Sequence, residues 1–216
     1  MAGLISTRPG DGIWWSLIAF FSVGVGGYGL FHVFNGFETV PPAVMNSHFF
    51  TPLGIQIHIS AAAVALLVGA FQFLKPLRTR APAVHRWIGR IYVAACVIGG
   101  MAGGSIALYS ASGPVAGWGF FILAVLWVPF TLLALAAAMR RDFAAHERWM
   151  VRSFALTFGA VTLRLYLPIG LATVGFNESY PIIAWLAWVP NLVVAEIWLR
   201  SRSPAGRAPA RVETPA

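Results

Sequence analysis

Polar and apolar positions alternate on a long scale in this chain: six extended apolar runs are separated by short polar breaks. A bilayer core of about 30 Å takes roughly 20 apolar residues as helix. Six runs reach that length, at about residues 13–34, 51–74, 87–109, 115–139, 149–171 and 181–199. Only a Ser/Gly/Pro turn at residues 110–114 separates the third run from the fourth. The pattern predicts an all-α integral membrane bundle of six transmembrane helices within residues 1–200. Residues 201–216, rich in Pro, Ala and Arg, read as a disordered cytoplasmic tail.

Composition agrees with that pattern. The 216 residues are 58% hydrophobic and 10% charged, against about 25% charged in a soluble domain. Too little polar surface exists to cover the chain, so part of its solvent must be lipid. The formal net charge of +8 resembles that of a nucleic-acid binder. The basic residues instead sit in short loops between apolar runs, and no nucleic-acid partner is expected. Lys75, Arg78, Arg80 and Arg86 follow the second run. Arg140, Arg141 and Arg148 follow the fourth, and Arg200, Arg202, Arg207 and Arg211 follow the sixth. The opposite loops hold Glu38 and Glu178 with no Lys or Arg. The positive-inside rule therefore puts both termini in the cytoplasm, with the bacterial inner membrane as the expected location. The N-terminus is too polar for a signal peptide. The single cysteine, Cys96, lies inside an apolar run and is expected as a packed thiol.

One phrase is written twice, as HRWIGR at 85–90 and HERWMVR at 146–152. Arg86, Trp87 and Arg90 match Arg148, Trp149 and Arg152 at an offset of 62 (148 − 86), and the histidines at 61 (146 − 85). Each phrase closes a basic loop and opens an ascending helix. The hairpins at about 51–109 and 115–171 thus read as two parallel repeats that build a four-helix core about an axis along the membrane normal. Under that axis His85 and His146 share a depth. Facing inward, two opposed imidazoles are what a b-type haem iron takes as axial ligands. Arg86, Arg90, Arg148 and Arg152 lie within one turn and suit haem propionates. The structural alternative is a duplicated hairpin whose Trp and Arg residues only anchor it at the interface.

A second polar set lies in the outer half. His58 falls roughly 10 Å below the outer face and Arg164 about 8 Å below it, at 1.5 Å per helical residue. The third run passes that level with Gly99, Gly100, Gly103 and Gly104, two overlapping GxxxG patterns. These allow close helix approach or leave room for a flat ring. Gly24, Gly26, Gly27 and Gly29 do the same in the first run, with His32 near its outer end and His48 just outside. A buried arginine costs at least about 2.5–3.5 kcal/mol on insertion scales, so Arg164 needs a partner. Glu178 in the neighbouring loop is one candidate; a bound propionate or carboxylate substrate is the other. The repeat counterpart of His58 is Phe120 (58 + 62), so an outer haem would pair His58 with His32 or His48 outside the symmetry. In the sixth run Asn191 and Glu196 are polar, and Glu196 is expected on a loop arginine.

From about His58 to Pro168, the segments HISAAAVALLVGAFQF, HRWIGRIYV and HERWMVRSFALTFGAVTLRLYLP resemble a family of bacterial multi-pass membrane proteins carrying a domain of unknown function. That resemblance implies a multi-pass membrane protein and no particular activity. A weaker architectural similarity is to transmembrane di-haem cytochromes b, which carry a histidine on each core helix. His58, His85 and His146 match the second, third and fifth spans; the fourth span has none. Two functions are expected on these grounds. The first is a haem-b electron-transfer protein, with His85 and His146 on the iron and Arg90 and Arg152 as charge partners. It would exchange electrons with quinone or another redox membrane protein. The second is a non-enzymatic transporter or accessory subunit. It would bind a small anion or a metal in an outer pocket of His58, Arg164 and the glycine faces, with His32 and His48 able to share an ion. Self-association is left open. A hydrolase is not expected: Asp11 and Asp142 lie outside the spans, and the chain has no G-x-S-x-G or H-E-x-x-H motif.

Overall fold

The computed structural model describes residues 9–40 and 52–202. The expectations placed on His48 and on residues 203–216 of the tail lie outside the described residues. Among those described, the chain is helical with no β-strand. Its helices are α1 (Pro9–Asn35), α2 (Pro52–Gly69), α3 (Lys75–Arg80), α4 (Pro82–Ala107), α5 (Gly113–Met139), α6 (Phe143–Thr157), α7 (Gly159–Thr173), α8 (Phe176–Leu186) and α9 (Val189–Ser201). Six stretches are long and apolar enough to cross a membrane: Gly12–Asn35, Leu53–Phe73, Pro82–Ala107, Gly113–Met139, Phe143–Thr173 and Phe176–Ser201. The six-span bundle read from the apolar runs is the fold. Large side chains such as Phe20, Phe34, Met101 and Ile197 face outward, as a bundle solvated by hydrocarbon requires.

The second to fifth spans form the centre. α2 packs on α4, α4 on α5, and α5 on α6, with α1 covering α2 and α8 covering α5 and α7. The glycines of α4 explain how three helices approach so closely. A Cβ on Gly99 would meet Ala61, and one on Gly103 would meet His58, both on α2. A Cβ on Gly100 would meet Val128, and one on Gly104 would meet Ala124, both on α5. Each GxxxG pattern therefore serves a different neighbour.

The fifth and sixth apolar runs read as continuous helices; the structure breaks both. The fifth is interrupted at Phe158 and the sixth at Ala187 and Trp188. The reason is local chemistry. Pro190 has no N–H and leaves a carbonyl in the preceding turn without its donor. Asn191 Nδ2 then donates to the Ala187 carbonyl at 3.0 Å and to Thr162 Oγ1 at 2.9 Å. Gly159 lets the fifth span approach this point, since a Cβ there would lie 3.3 Å from the Ala187 oxygen. The two breaks meet, and Thr162 and Asn191 tie them together.

One cluster of polar side chains in the core is satisfied by its own members. Tyr92, fully buried on α4, meets Ser153 Oγ at 2.9 Å and Thr157 Oγ1 at 2.8 Å. Ser153 also meets Thr131 Oγ1 at 2.6 Å, and Trp127 Nε1 donates to Thr157 at 2.8 Å. Cys96 is buried beside them, a packed thiol as expected.

Replacing Gly100 by Leu forces a Cβ to 2.4 Å from Val128. Overpacking of this kind costs about 1–3 kcal/mol, so Gly100→Leu lowers the melting temperature in detergent. Gly24→Leu, whose Cβ meets nothing within 4 Å, leaves it unchanged.

Candidate functional site

A cavity of about 550 Å³ lies between the spans, above the hydroxyl cluster. Thr157 and Trp127 reach its wall from below; Gly159 and Ala187 bring the two helix breaks to it. Most of its lining is apolar, from Ile59, Phe120, Leu123 and Leu167 among others. Non-helical backbone at membrane depth is tolerated where it borders such a cavity.

Three basic side chains stand on this wall: His32 from α1, His58 from α2 and Arg164 from α7. The depth arithmetic had placed His58 and Arg164 at one level, and they share the cavity. Their hydrogen bonds fix the proton positions. His58 Nδ1 lies 2.8 Å from the Gly99 carbonyl, which only accepts, so Nδ1 carries the proton. His32 Nδ1 lies 2.6 Å from Thr39 Oγ1, and the Thr39 hydroxyl gives its one proton to the Gly36 carbonyl at 2.5 Å. His32 Nδ1 is therefore the donor as well. In its neutral form each ring keeps a bare lone pair on Nε2, and that of His32 is buried without a partner among the described residues. Gly103 makes room for the His58 ring: its Cβ would stand 2.7 Å from Nδ1.

Arg164 makes no ion pair with Glu178. Its guanidinium donates to the Ala160 carbonyl at 3.0 Å and lies 6.0 Å from the centre of the Tyr28 ring. It meets no carboxylate among the described residues. A mostly apolar cavity with a guanidinium and two imidazoles accepts an amphipathic anion, and its volume falls in the roughly 300–1,000 Å³ of sites for organic ligands.

The repeated phrases open the third and fifth spans, both at the same end of the bundle. His85 and His146 come within Coulombic reach of each other. His146 Nδ1 donates to the Ala134 carbonyl at 2.8 Å. The repeat equivalent of Ala134 is Gln72 (134 − 62). Gln72 packs against Gly89, one turn beyond His85. His85 Nδ1 and Gln72 Nε2 are both buried without partners. The arginines are used otherwise than expected. Arg90 stacks on Trp87 at 4.8 Å and Arg152 on Trp149 at 4.7 Å, so RWxxR builds the same i, i+3 cation–π contact twice. Arg152 also holds Glu196 through two bonds, of 2.5 and 3.0 Å. Glu196 thus takes a helix arginine rather than a loop one. Arg86, Arg90 and Arg148 are exposed.

Among the described residues no group of three or more His, Cys, Asp or Glu is arranged to hold a metal ion. The sequence reading passed over Tyr28, Tyr92, Thr131, Ser153 and Thr157. The available signal was the presence of hydroxyls inside apolar runs, where each must find a partner.

Residues 55–199 match the model of a family described as predicted membrane protein (DUF2306), which is more than half of the chain. No curated protein and no solved structure matches.

Glu196→Gln removes one charge from the Arg152 pair. The pair is partly exposed, so the expected loss is about 1 kcal/mol at most. A double-mutant cycle with Arg152→Met, read from thermal melts, measures the coupling.

Proposed function

The chain belongs to the DUF2306 family of predicted membrane proteins, and we propose that it is a membrane-embedded haem-b electron-transfer protein whose cofactor site is the outer-half cavity. The observation that carries this reading is His32 Nε2, a buried lone pair without a partner on the wall that also holds His58. Metal-bound histidines commonly hold the other ring N–H on an oxygen, which fixes the tautomer. His32 and His58 both do so. The residues fit the group: His32 and His58 would supply its nitrogen donors, Arg164 would hold a propionate, and the apolar walls would take the ring. Haem supplies one-electron redox chemistry when bound. The chain's own residues orient the group, exclude water and balance its charge. A quinone or a second redox membrane protein is the expected electron partner. The cytoplasmic pair His85 and His146 is the competing place for the same cofactor. It is weaker there, because Arg152 is already held by Glu196.

A second reading has its own support. Arg164 faces the cavity without a carboxylate, which favours a non-enzymatic transporter or accessory subunit holding an organic carboxylate. Charge asymmetry supports cytoplasmic termini in a bacterial inner membrane for either reading.

Protein purified in mild detergent from haem-supplied cells is expected to show a sharp absorption band on reduction. His58→Ala and His32→Ala lower haem content about tenfold or more, whereas His85→Ala and His146→Ala retain it. The reverse pattern moves the site to the cytoplasmic pair. A colourless wild type ends the haem reading; carboxylate binding that Arg164→Gln abolishes then establishes the second. A C-terminal green fluorescent protein fusion is expected to fluoresce, and a dark but inserted fusion would invert the topology.

A further inference from the structure

We propose that the buried hydroxyls form a proton path from His146, at the cytoplasmic end of the core, to the floor of the outer cavity. The inference rests on the cavity being the functional site and adds a means of supplying it with protons.

The hydrogen bonds close in two ways. In one, Trp127 Nε1 donates to Thr157, Thr157 to Tyr92, Tyr92 to Ser153, Ser153 to Thr131, and Thr131 to the Trp127 carbonyl at 2.8 Å. In the other, Thr131 donates to Ser153, Ser153 to Tyr92, Tyr92 to Thr157, and Thr157 to the Ser153 carbonyl at 3.0 Å. Every hydroxyl spends its single proton in both arrangements. A chain of this kind passes a proton without leaving any member unsatisfied.

The transfer balances as follows. A proton reaches Thr131, whose own proton moves to Ser153; Ser153 protonates Tyr92, Tyr92 protonates Thr157, and Thr157 releases one into the cavity. The string is left in its first arrangement, and rotation of the hydroxyls restores the second. Thr157 lines the cavity, which gives the exit. The entrance is set by Ala134, one turn from Thr131 on α5, whose carbonyl holds His146 Nδ1. A turn is about 5 Å, a span that one bridging water covers. His146 is half-buried; its Nε2 takes a proton from the cytoplasmic side, while Nδ1 turns from the Ala134 carbonyl to give its own to the bridging water, which in turn protonates Thr131. The groups facing it are His85, the Glu147–Arg78 pair at 3.6 Å and the exposed Arg148. Packing alone does not demand the phenol. The repeat equivalent of Tyr92 is Phe154 (92 + 62), which fills its own buried place without a hydroxyl.

Cys96 reports on the path. It is the chain's only cysteine, and its thiol touches Tyr92, Thr131, Ser153 and Thr157. Infrared spectra in D2O follow the conversion of S–H to S–D in a region free of other side-chain bands. Wild-type exchange is expected within minutes. Thr131→Val, Tyr92→Phe and His146→Phe slow it by about an order of magnitude, and Thr131→Ser restores it. If Tyr92→Phe does not fold, Ser153→Ala breaks the same link. A wild-type thiol that does not exchange over hours overturns the proposal, as do unchanged rates in the folded variants. Slowing by Thr157→Val but not by His146→Phe overturns the cytoplasmic entrance. The measurement needs no haem, so its failure is distinct from a colourless preparation.

Discussion

The structure depends on the absence of water around its spans. In hydrocarbon each unpaired donor or acceptor costs several kcal/mol, so every polar group must find its partner inside the bundle. The indole N–H groups illustrate the rule. Trp15 donates to the Ala70 carbonyl, Trp185 to Val115 and Trp188 to Gly119, each across two spans. The hydroxyl ring around Tyr92 obeys it in the middle, and Asn191 obeys it at the break, where its side chain holds the Ala187 carbonyl. Against this background the few polar atoms left without partners acquire meaning. Among the described residues these are Ser22 Oγ and His32 Nε2 on α1, the latter ring on the cavity wall, and His85 Nδ1 and Gln72 Nε2 near the repeated phrases.

Much of the bundle was legible in the order of residues, because the length of an apolar run maps directly onto the thickness of a bilayer. Six runs gave six spans, and the depth of His58 and Arg164 followed from counting turns. The breaks at Phe158 and Ala187 were not legible. A single Pro190 near the end of an apolar run does not show whether a helix bends, ends or restarts; that depends on Asn191 and Gly159 meeting across two spans. The partner of Glu196 was equally hidden. Arg152 lies 44 residues away, and charge counting offers no way to choose it over a loop arginine.

The duplicated RWxxR phrase shows why repetition and function separate. Each copy stacks its second arginine on its tryptophan, a local consequence of i, i+3 spacing that explains most of the motif. The histidines in front of the copies are held differently: His146 Nδ1 is on the Ala134 carbonyl, and His85 Nδ1 is without a partner among the described residues. In the cavity, by contrast, the duplication relates positions and not chemistry. His58 corresponds to Phe120, and both line it. Symmetry built the frame, and departures from it furnished the basic wall.

The paired interruptions carry a mechanical consequence. In the fifth and sixth spans the backbone ladder lapses at the same level, so α7 and α8 are joined to the parts beneath by single joints. The Thr162–Asn191 clasp fastens the two interruptions to each other. Above them Trp185 on α8 holds the Val115 carbonyl of α5, so the roof of the cavity is anchored to the same core that carries its floor.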